Sequence, residues 1–175
     1  SIPAGDYHYT DYLDNDGINM DQRIRISVTA TLKDGEITFD LDGSSDQVAG
    51  PFNCVPSGSL SAACFAVRVL TGSDIPTNGG CFRPIHLKLP EGSIINPIEP
   101  APVNARTSTI KRISGCMVSA FKEIMPDKVT ADSASEMLIL QFGGRHPDGR
   151  RFVVGELIAS GSGAGIGSDG VDVIE

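Results

Sequence analysis

Three polar side chains, Asn53, Asn78 and Arg83, belong to segments whose composition restricts their motion. Asn53 ends the stretch GPFN at 50–53, and the other two lie in PTNGGCFRP at 76–84. Proline fixes φ and glycine allows close backbone approach, so such loops can present amides and a guanidinium to a carboxylate or imide oxygen. The structural alternative is that the asparagines cap turns and the arginine pairs with an acid. We predict that all three bind substrate; the residues alone indicate neither a reaction nor a catalytic residue.

A glycine-rich segment near the end of the sequence, GSGAGIG at 161–167, invites comparison with nucleotide-binding loops. The dinucleotide fingerprint needs a third glycine or alanine at its sixth position, where Ile166 or Ser168 stands here. No P-loop lysine follows. We therefore expect a plain loop whose glycines permit close contact with a ligand or with another stretch of chain.

No set of residues has the spacing of a metal site, and we predict none. The acidic stretch at 11–17, DYLDNDG, places Tyr12 and Arg23 at EF-hand positions that require acids, which favours a polar turn before a strand. The histidines, at 8, 86 and 146, are far apart in sequence. The four cysteines, at 54, 64, 81 and 116, form no C-x-x-C pair, so we interpret them as small buried apolar residues in a reducing, cytoplasmic compartment.

The clearest structural pattern is a β-hairpin. Apolar residues alternate with polar ones over 24–32 and again over 37–41, and Asp34-Gly35 between them suits a tight turn. The alternation predicts one buried face and one face in water.

Two helices and three further strands complete the predicted elements. Helical spacing covers 57–70, capped by Ser57 or Ser59, and 107–124, capped by Thr107 or Ser108. We predict strands at 85–89, at 137–142, where an apolar run suits burial, and at 152–159. A short helical turn is expected at 130–135.

This order of elements predicts an α+β fold. We expect antiparallel β-hairpins to form a sheet with the two main helices packed against it, and residues 1–175 to form a single domain.

Composition excludes several classes of function. Lys and Arg number 14 against 22 Asp and Glu, a net charge of -8, which disfavours binding to nucleic acid or to an anionic membrane surface. No apolar run approaches the ~20 residues of a membrane-spanning helix, and no signal peptide opens the sequence. We therefore predict a cytoplasmic protein. The sequence is also compatible with a homo-oligomer.

The segments singled out above, with others, resemble the hydantoinase B / 5-oxoprolinase family. Their order along the sequence makes the resemblance specific, although each piece is short. The matching pieces are GDY at 5–7, DNDG at 14–17, GSSDQ at 43–47, GPFN at 50–53, PTNGGCFRP at 76–84, PEGS at 90–93, NP at 96–97, PAPV at 100–103, GSGA at 161–164 and DG at 169–170.

The resemblance implies part of a subunit of an ATP-dependent enzyme that opens cyclic amides such as hydantoin or 5-oxoproline. ATP would be handled by a hydantoinase A-type partner subunit or domain. A divalent metal would be held by a His/Asp-rich N-terminal region that this sequence lacks. We therefore expect an internal fragment that binds no cofactor itself and is inactive alone.

Two alternatives follow from the same resemblance. One is the alpha-type subunit of an ATP-dependent ketone carboxylase. The other is a docking or scaffold region without catalytic residues. In that case the glycine-rich segment, and the hairpins with one face in water, would contact a hydantoinase A-type partner or another copy of the chain.

Overall fold

The computed structural model describes residues 2–72, 74–133 and 138–172 and contains a four-stranded sheet in the order β1-β2-β3-β4. The predicted α+β class, with antiparallel hairpins and two main helices, is confirmed. Whether 1–175 forms one domain stays a prediction. The strands of the sheet are β1 (Gly5–Leu13), β2 (Ile24–Lys33), β3 (Glu36–Asp40) and β4 (Ile85–Lys88).

The predicted hairpin is present as β2 and β3. Thr29 pairs with Asp40 and Lys33 with Glu36 in antiparallel register. The turn places both Asp34 (φ 54°) and Gly35 (φ 82°) in the left-handed region, the conformation that an Asp-Gly pair favours in a two-residue hairpin turn.

The pairing of β4 differs from the antiparallel arrangement expected throughout. β4 runs parallel to β3, with Ile37 opposite Ile85 and Phe39 opposite Leu87. A parallel neighbour requires a crossover connection, and helix α1 (Pro56–Thr71) lies within that connection. The sequence pattern identified the strand but not its direction, because apolar alternation is the same in either direction.

The helices form near the predicted positions, but their N-caps differ and the second long helix ends at Ser119, not at 124 as predicted. Besides α1, they are α2 (Gly79–Phe82) and α3 (Arg106–Ser119). The N-cap residues are Val55 and Ala105, neither with a side-chain capping bond, so the predicted serine and threonine caps are wrong. Ser59 is fully buried within α1, where its hydroxyl donates to the carbonyl of Ile95 instead (3.1 Å).

The hydrophobic core lies between the sheet and the two long helices, α1 and α3. These helices pack on each other, and α3 also contacts β1 and β2. Gly58 permits the close contact, since a Cβ there would lie 2.6 Å from the Sγ of Cys54 and 2.9 Å from the Cδ1 of Ile110. The largest fully buried apolar side chains are those of Phe39, Phe121, Ile24, Ile26, Leu41, Ile94, Ile95, Ile113 and Met117.

Strand β1 was not predicted from the sequence. It pairs with β2 over nine residues, from Gly5 opposite Leu32 to Leu13 opposite Ile24. Its sequence, GDYHYTDYL, has tyrosines but few aliphatic residues, and only Leu13 is fully buried. An edge strand of this kind carries too weak an apolar alternation to be detected.

The last two strands, β5 (Leu138–Arg145) and β6 (Arg151–Ile158), form a separate antiparallel pair. The strands predicted at 137–142 and 152–159 are thus present as one antiparallel hairpin, but the expected burial of 137–142 is wrong over 139–142, which are exposed. Met137 lies outside the described residues. The helical turn expected at 130–135 is absent over 130–133, and residues 134–135 are not among those described.

Candidate functional site

The loop that follows β1 is organised by one buried carboxylate, Asp16. It accepts hydrogen bonds from the backbone N–H groups of Asn19 (2.5 Å), Ile18 (2.9 Å) and Gly50 (3.1 Å), and Asp16 is only 1% exposed. The N–H of Asn19 contributes most to holding the pKa of Asp16 below its ordinary value of 3.8, while burial opposes the shift. The ionised side chain thus ties the loop at 14–23 to the loop that follows β3.

The same two loops touch through their backbones. A Cβ atom on Gly50 would lie 1.7 Å from the carbonyl oxygen of Asp16, a distance that no side chain could accommodate. Glycine is required here by the close approach of the chain, because Gly50 has no unusual φ.

Asn53 holds the second loop in shape. Its Oδ1 accepts from the N–H of Val48 (2.8 Å), and its Nδ2 donates to the carbonyls of Val48 (2.8 Å), Pro102 (3.0 Å) and Gly50 (3.3 Å). The side chain is fully buried. Both ends of its amide are therefore engaged by the main chain.

A polar cleft of about 400 Å³ opens between these loops. Residues 44–49 form one wall, and Asn19, Gln22 and Ile24 form the other. Its size lies within the range of about 300–1,000 Å³ that is usual for small-molecule sites. One wall of the cleft thus contains the motif at 43–47; Asp16 ties the loop of the other wall to Gly50, and Asn53 fixes the backbone of Val48 within the first wall.

Some polar side chains in the cleft serve the fold. The Ser44 hydroxyl accepts from the Ser27 N–H and donates to its carbonyl, and both ends of the Gln47 amide bond the backbone of Ile98. The Ser45 Oγ accepts from a backbone N–H, that of Arg25, at 2.8 Å, and its own proton remains available.

Two side chains of the polar cleft are not committed in this way. Among the described residues, neither the amide of Gln22 nor the carboxylate of Asp46 makes a side-chain hydrogen bond or ion pair. Together with the Ser45 hydroxyl they supply donors and acceptors to a bound molecule. Such a set suits a small ligand that carries both an N–H and a C=O.

Asn78 and Arg83 lie at the other end of the sheet. The Oδ1 of Asn78 accepts from the N–H of Gly80 (2.8 Å) and caps α2, and Arg83 is exposed just after that helix. The neighbouring residues Cys81, Phe82 and Pro84 line a mostly apolar hollow of about 280 Å³ beside the β2–β3 turn.

The three predicted site residues are therefore not brought together in one hollow. Asn53 precedes α1 and Asn78 follows it, and a helix of 16 residues spans about 24 Å at 1.5 Å per residue. Asn78 and Arg83 lie near each other on one surface, whereas Asn53 is buried beneath the polar cleft. Their role in substrate binding stays a prediction.

The residues that organise the polar cleft were not identified from the sequence as site residues. Asp16 was interpreted as part of a polar turn, and Gln22 and Asp46 were not singled out. A signal existed for Asp16, because an Asp followed by a glycine with positive φ (Gly17, 78°) is typical of a side chain that caps its own turn. Its long-range bond to Gly50 could not be predicted from local spacing.

Other chemically capable residues are dispersed. His8 bonds Thr29 and Thr10, and His86 lies 3.3 Å from Glu36 on the polar side of the sheet. No group of three or more His, Cys, Asp or Glu residues close enough to bind a metal occurs in the described part of the chain.

The four cysteines are unpaired, and only two match the prediction of burial. Cys54 and Cys116 are buried, whereas Cys64 and Cys81 are partly exposed. Burial raises the pKa of the Cys116 thiol to about 12, which makes it a poor nucleophile at neutral pH.

The glycine-rich segment approaches its own chain. The N–H of Ala131 donates to the carbonyl of Ala164 (2.8 Å), and a Cβ on Gly163 would lie 1.7 Å from the carbonyl oxygen of Ala131. This agrees with the expectation of a loop whose glycines allow close backbone contact.

Comparison with known proteins identifies the family to which the chain belongs. The family model of Hydantoinase B/oxoprolinase matches residues 1–175. The chain belongs to this family, and the predicted resemblance is confirmed.

Two relatives illustrate the match in sequence. The chain is 28% identical to a protein named as the B-type component of D-/L-hydantoinase in Pseudomonas sp. (strain NS671), over 99% of this chain and 31% of that protein. It is 33% identical to 5-oxoprolinase of Dictyostelium discoideum, over 95% of this chain and 12% of that protein. The chain therefore spans less than a third of the length of either relative.

Two solved structures share the fold. An ATP-dependent caprolactamase from Pseudomonas jessenii superimposes with a TM-score of 0.81 and 24% identity, over 98% of this chain and 30% of that chain. A nucleotide-free acetone carboxylase gives a TM-score of 0.72 and 18% identity, over 98% of this chain and 26% of that chain.

Within the described ranges, no helix of the protein is long and apolar enough to span a bilayer.

Proposed function

We propose that this chain is part of the hydantoinase B-type subunit of an ATP-dependent cyclic amidohydrolase that opens hydantoin or 5-oxoproline rings. The observation that carries the proposal is the family match over all 175 residues. The names of the relatives agree with it, and the fold of the caprolactamase supports it.

The polar cleft is the place for the cyclic amide. A lactam offers one carbonyl acceptor and one N–H donor, and the Ser45 hydroxyl, the Gln22 amide and the Asp46 carboxylate complement these groups. Asn53 acts as a positioning residue, because it fixes the backbone of Val48 in the cleft wall. Preorganised groups of this kind orient a substrate without rearrangement during the reaction.

Asn78 and Arg83 form an alternative candidate site for substrate, since the helix between them and the polar cleft is too long for one small ring to reach both. The Asn78 Nδ2 and the exposed Arg83 guanidinium are available next to an apolar hollow. Arg83 would pair with a carboxylate on the substrate, such as that of 5-oxoproline.

ATP and the metal enter this function from outside the described residues. We place ATP on a hydantoinase A-type partner subunit or domain, where phosphorylation of the lactam oxygen would give the ring carbon a good leaving group. The described residues do not assemble a metal-ligand set, so we assign the divalent metal to a further region of the enzyme and derive no step through it.

The ketone carboxylase branch is the second candidate. It rests on the fold shared with acetone carboxylase, whose TM-score of 0.72 is below the 0.81 of the caprolactamase. A docking or scaffold role is the third candidate, and it predicts that substitutions in the polar cleft leave turnover unchanged.

The test is ATP-dependent ring opening by the complete complex, measured with hydantoin and with 5-oxoproline. For Gln22→Leu we expect KM for the cyclic amide to rise about tenfold, equal to roughly 1.4 kcal/mol for one lost hydrogen bond, with KM for ATP unchanged. The control is Glu123→Leu, which also places a leucine at an exposed polar position but lies outside both the cleft and the β5–β6 hairpin. Binding at the alternative site predicts instead that Arg83→Ala weakens the use of 5-oxoproline more than that of hydantoin.

Three outcomes would count against the assignment. Unchanged kinetics for Gln22→Leu and Asp46→Asn would remove the polar cleft from the site. Unchanged turnover of both substrates by Arg83→Ala would remove Arg83. Carboxylation of acetone with bicarbonate and ATP, without ring opening, would favour the carboxylase branch.

A further inference from the structure

The hairpin formed by β5 and β6 has an unusual amount of apolar surface in water. Every residue of β6 is exposed, with Val153 77% and Leu157 64% accessible, and Phe142 on β5 is 50% accessible. In β2, by contrast, the apolar residues Ile24, Ile26, Val28 and Ala30 are all buried. We refer to residues 138–158 as the hairpin arm.

Both faces of the hairpin arm are apolar. Side chains alternate between the faces of a strand, so the register places Phe142 beside Val154 on one face and Ile139 beside Leu157 on the other. The first face also carries Leu140 and Phe152, and the second carries Val153. Strands that read as apolar on both sides are typical of sheets covered on both sides.

The pairing at the tip of the arm is electrostatically incomplete. Arg145 and Arg151 lie directly opposite each other, and like charges in that position are destabilising. Arg145 donates to the carbonyl of Gly149 (3.1 Å), while the carboxylate of Asp148 is engaged by Arg150 (2.7 Å). A carboxylate from a covering segment would complete this arginine pair.

From these features we infer that the hairpin arm is an internal strand pair of a larger sheet, covered on both faces by further polypeptide of a hydantoinase B-type chain. We expect the covering polypeptide to place apolar side chains against both faces and a β-strand along a free edge of the arm. We also expect it to bring a carboxylate near Arg145 and Arg151. This inference rests on membership of the family and not on the proposed reaction.

The size of the relatives favours further polypeptide of the same chain, and not a second copy of these 175 residues, as the cover of the hairpin arm. The superposition on the caprolactamase covers 98% of this chain, yet only 30% of the other, so most of that chain lies outside the shared part. A contact between two folded copies would use one face of the arm, whereas both faces are apolar. An isolated two-stranded hairpin is marginal in water, and open strand edges promote association unless they are paired or covered.

The first experiment uses the 175-residue protein alone, with analytical ultracentrifugation and amide hydrogen exchange. We expect a monomer in which the amides of β5 and β6 exchange at least about 100-fold faster than those of β2 and β3, because the arm opens locally without cover. A dimer whose arm is protected, with protection lost in Val153→Glu, would overturn the inference in favour of a second copy. A monomer with a protected arm would overturn it as well.

The second experiment places Val153→Glu in a longer hydantoinase B-type polypeptide that includes this sequence. We expect a marked loss of soluble protein there and no loss in the 175-residue chain, because only the longer chain buries the position. The matched control is Ile98→Glu, which replaces a residue that is 53% exposed outside the arm. Equal tolerance of both substitutions in the longer chain would contradict the inference, whether or not the enzyme opens cyclic amides.

Discussion

At the scale of single residues, the loop geometry depends on side chains that bond the backbone. Asp16 accepts three backbone N–H bonds, and Asn53 spans three loop carbonyls and one N–H. Such buried polar groups are costly to leave unpaired, so each one determines the path of the chain around it.

Replacing Asp16 with asparagine should lower the melting temperature most strongly near neutral pH. The new amide nitrogen would face the N–H of Gly50, which needs an acceptor. Because the pKa of Asp16 is lower in the folded protein than its ordinary 3.8, the ionised side chain stabilises the fold above that pH, and this contribution is lost as the pH falls through the folded pKa.

The measurement is thermal unfolding by circular dichroism across the acidic and neutral range. The difference between the wild type and Asp16→Asn should narrow at the acidic end. Asp14→Asn, a neighbouring exposed position, serves as the control. A difference independent of pH would show that the charge of Asp16 contributes nothing.

At the scale of elements, the connections decide where the loops meet. Gly50 places the loop after β3 against the loop after β1, and the crossover helix α1 separates the polar cleft from the segment containing Asn78 and Arg83. The cleft is thus a product of two connections and not of any one strand or helix.

Gly50→Ala should destabilise the protein by about 2 kcal/mol or more, because the added methyl group would meet the backbone of Asp16 in a closely packed site. Denaturant unfolding of the variant gives the change in free energy. Gly155→Ala is the matched control, since nothing lies within 4 Å of the Cβ that it would add. Similar midpoints for the two variants would refute the contact.

The elements that the sequence predicted well are those with strong local periodicity. The β2–β3 hairpin and helices α1 and α3 follow from apolar spacing and a turn pair, Asp34-Gly35. The direction of β4 and the existence of β1 depend on partners distant in sequence, which local patterns do not encode. For the same reason, Gln22 and Asp46 could not be recognised as neighbours in a cleft.

At the scale of the whole molecule, Arg112 of α3 connects three parts of the chain. Its Nη1 lies 2.5 Å from Asp11 of β1 and 3.3 Å from Asp132, in the segment that precedes the hairpin arm. The Arg112 side chain is 17% exposed, so solvent screens these ion pairs only partly. Gly115 leaves room for the contact, since a Cβ there would lie 2.5 Å from the Oδ2 of Asp132.

Arg112→Ala should reduce the free energy of unfolding by about 1–3 kcal/mol, less than for a fully buried pair because both aspartates remain partly in water. Added salt should change this loss little. Lys128→Ala, at an exposed position, is the control. Equal stability of the two variants in chemical denaturation would contradict a connecting role for Arg112.

The hydrogen bonds that hold the walls of the polar cleft have a consequence for how related proteins can differ in the ligands they bind. Asp16 and Asn53 bond mainly to main chain, the amide of Asn19 on Asp16 being the exception, and Gly50 lies against the backbone of Asp16, so these residues specify a frame without specifying what it holds. Gln22 and Asp46 are outside that frame and are replaceable without disturbing it. Related proteins can therefore differ in the ligand that such a cleft accepts through a few uncommitted side chains, while the backbone frame stays the same.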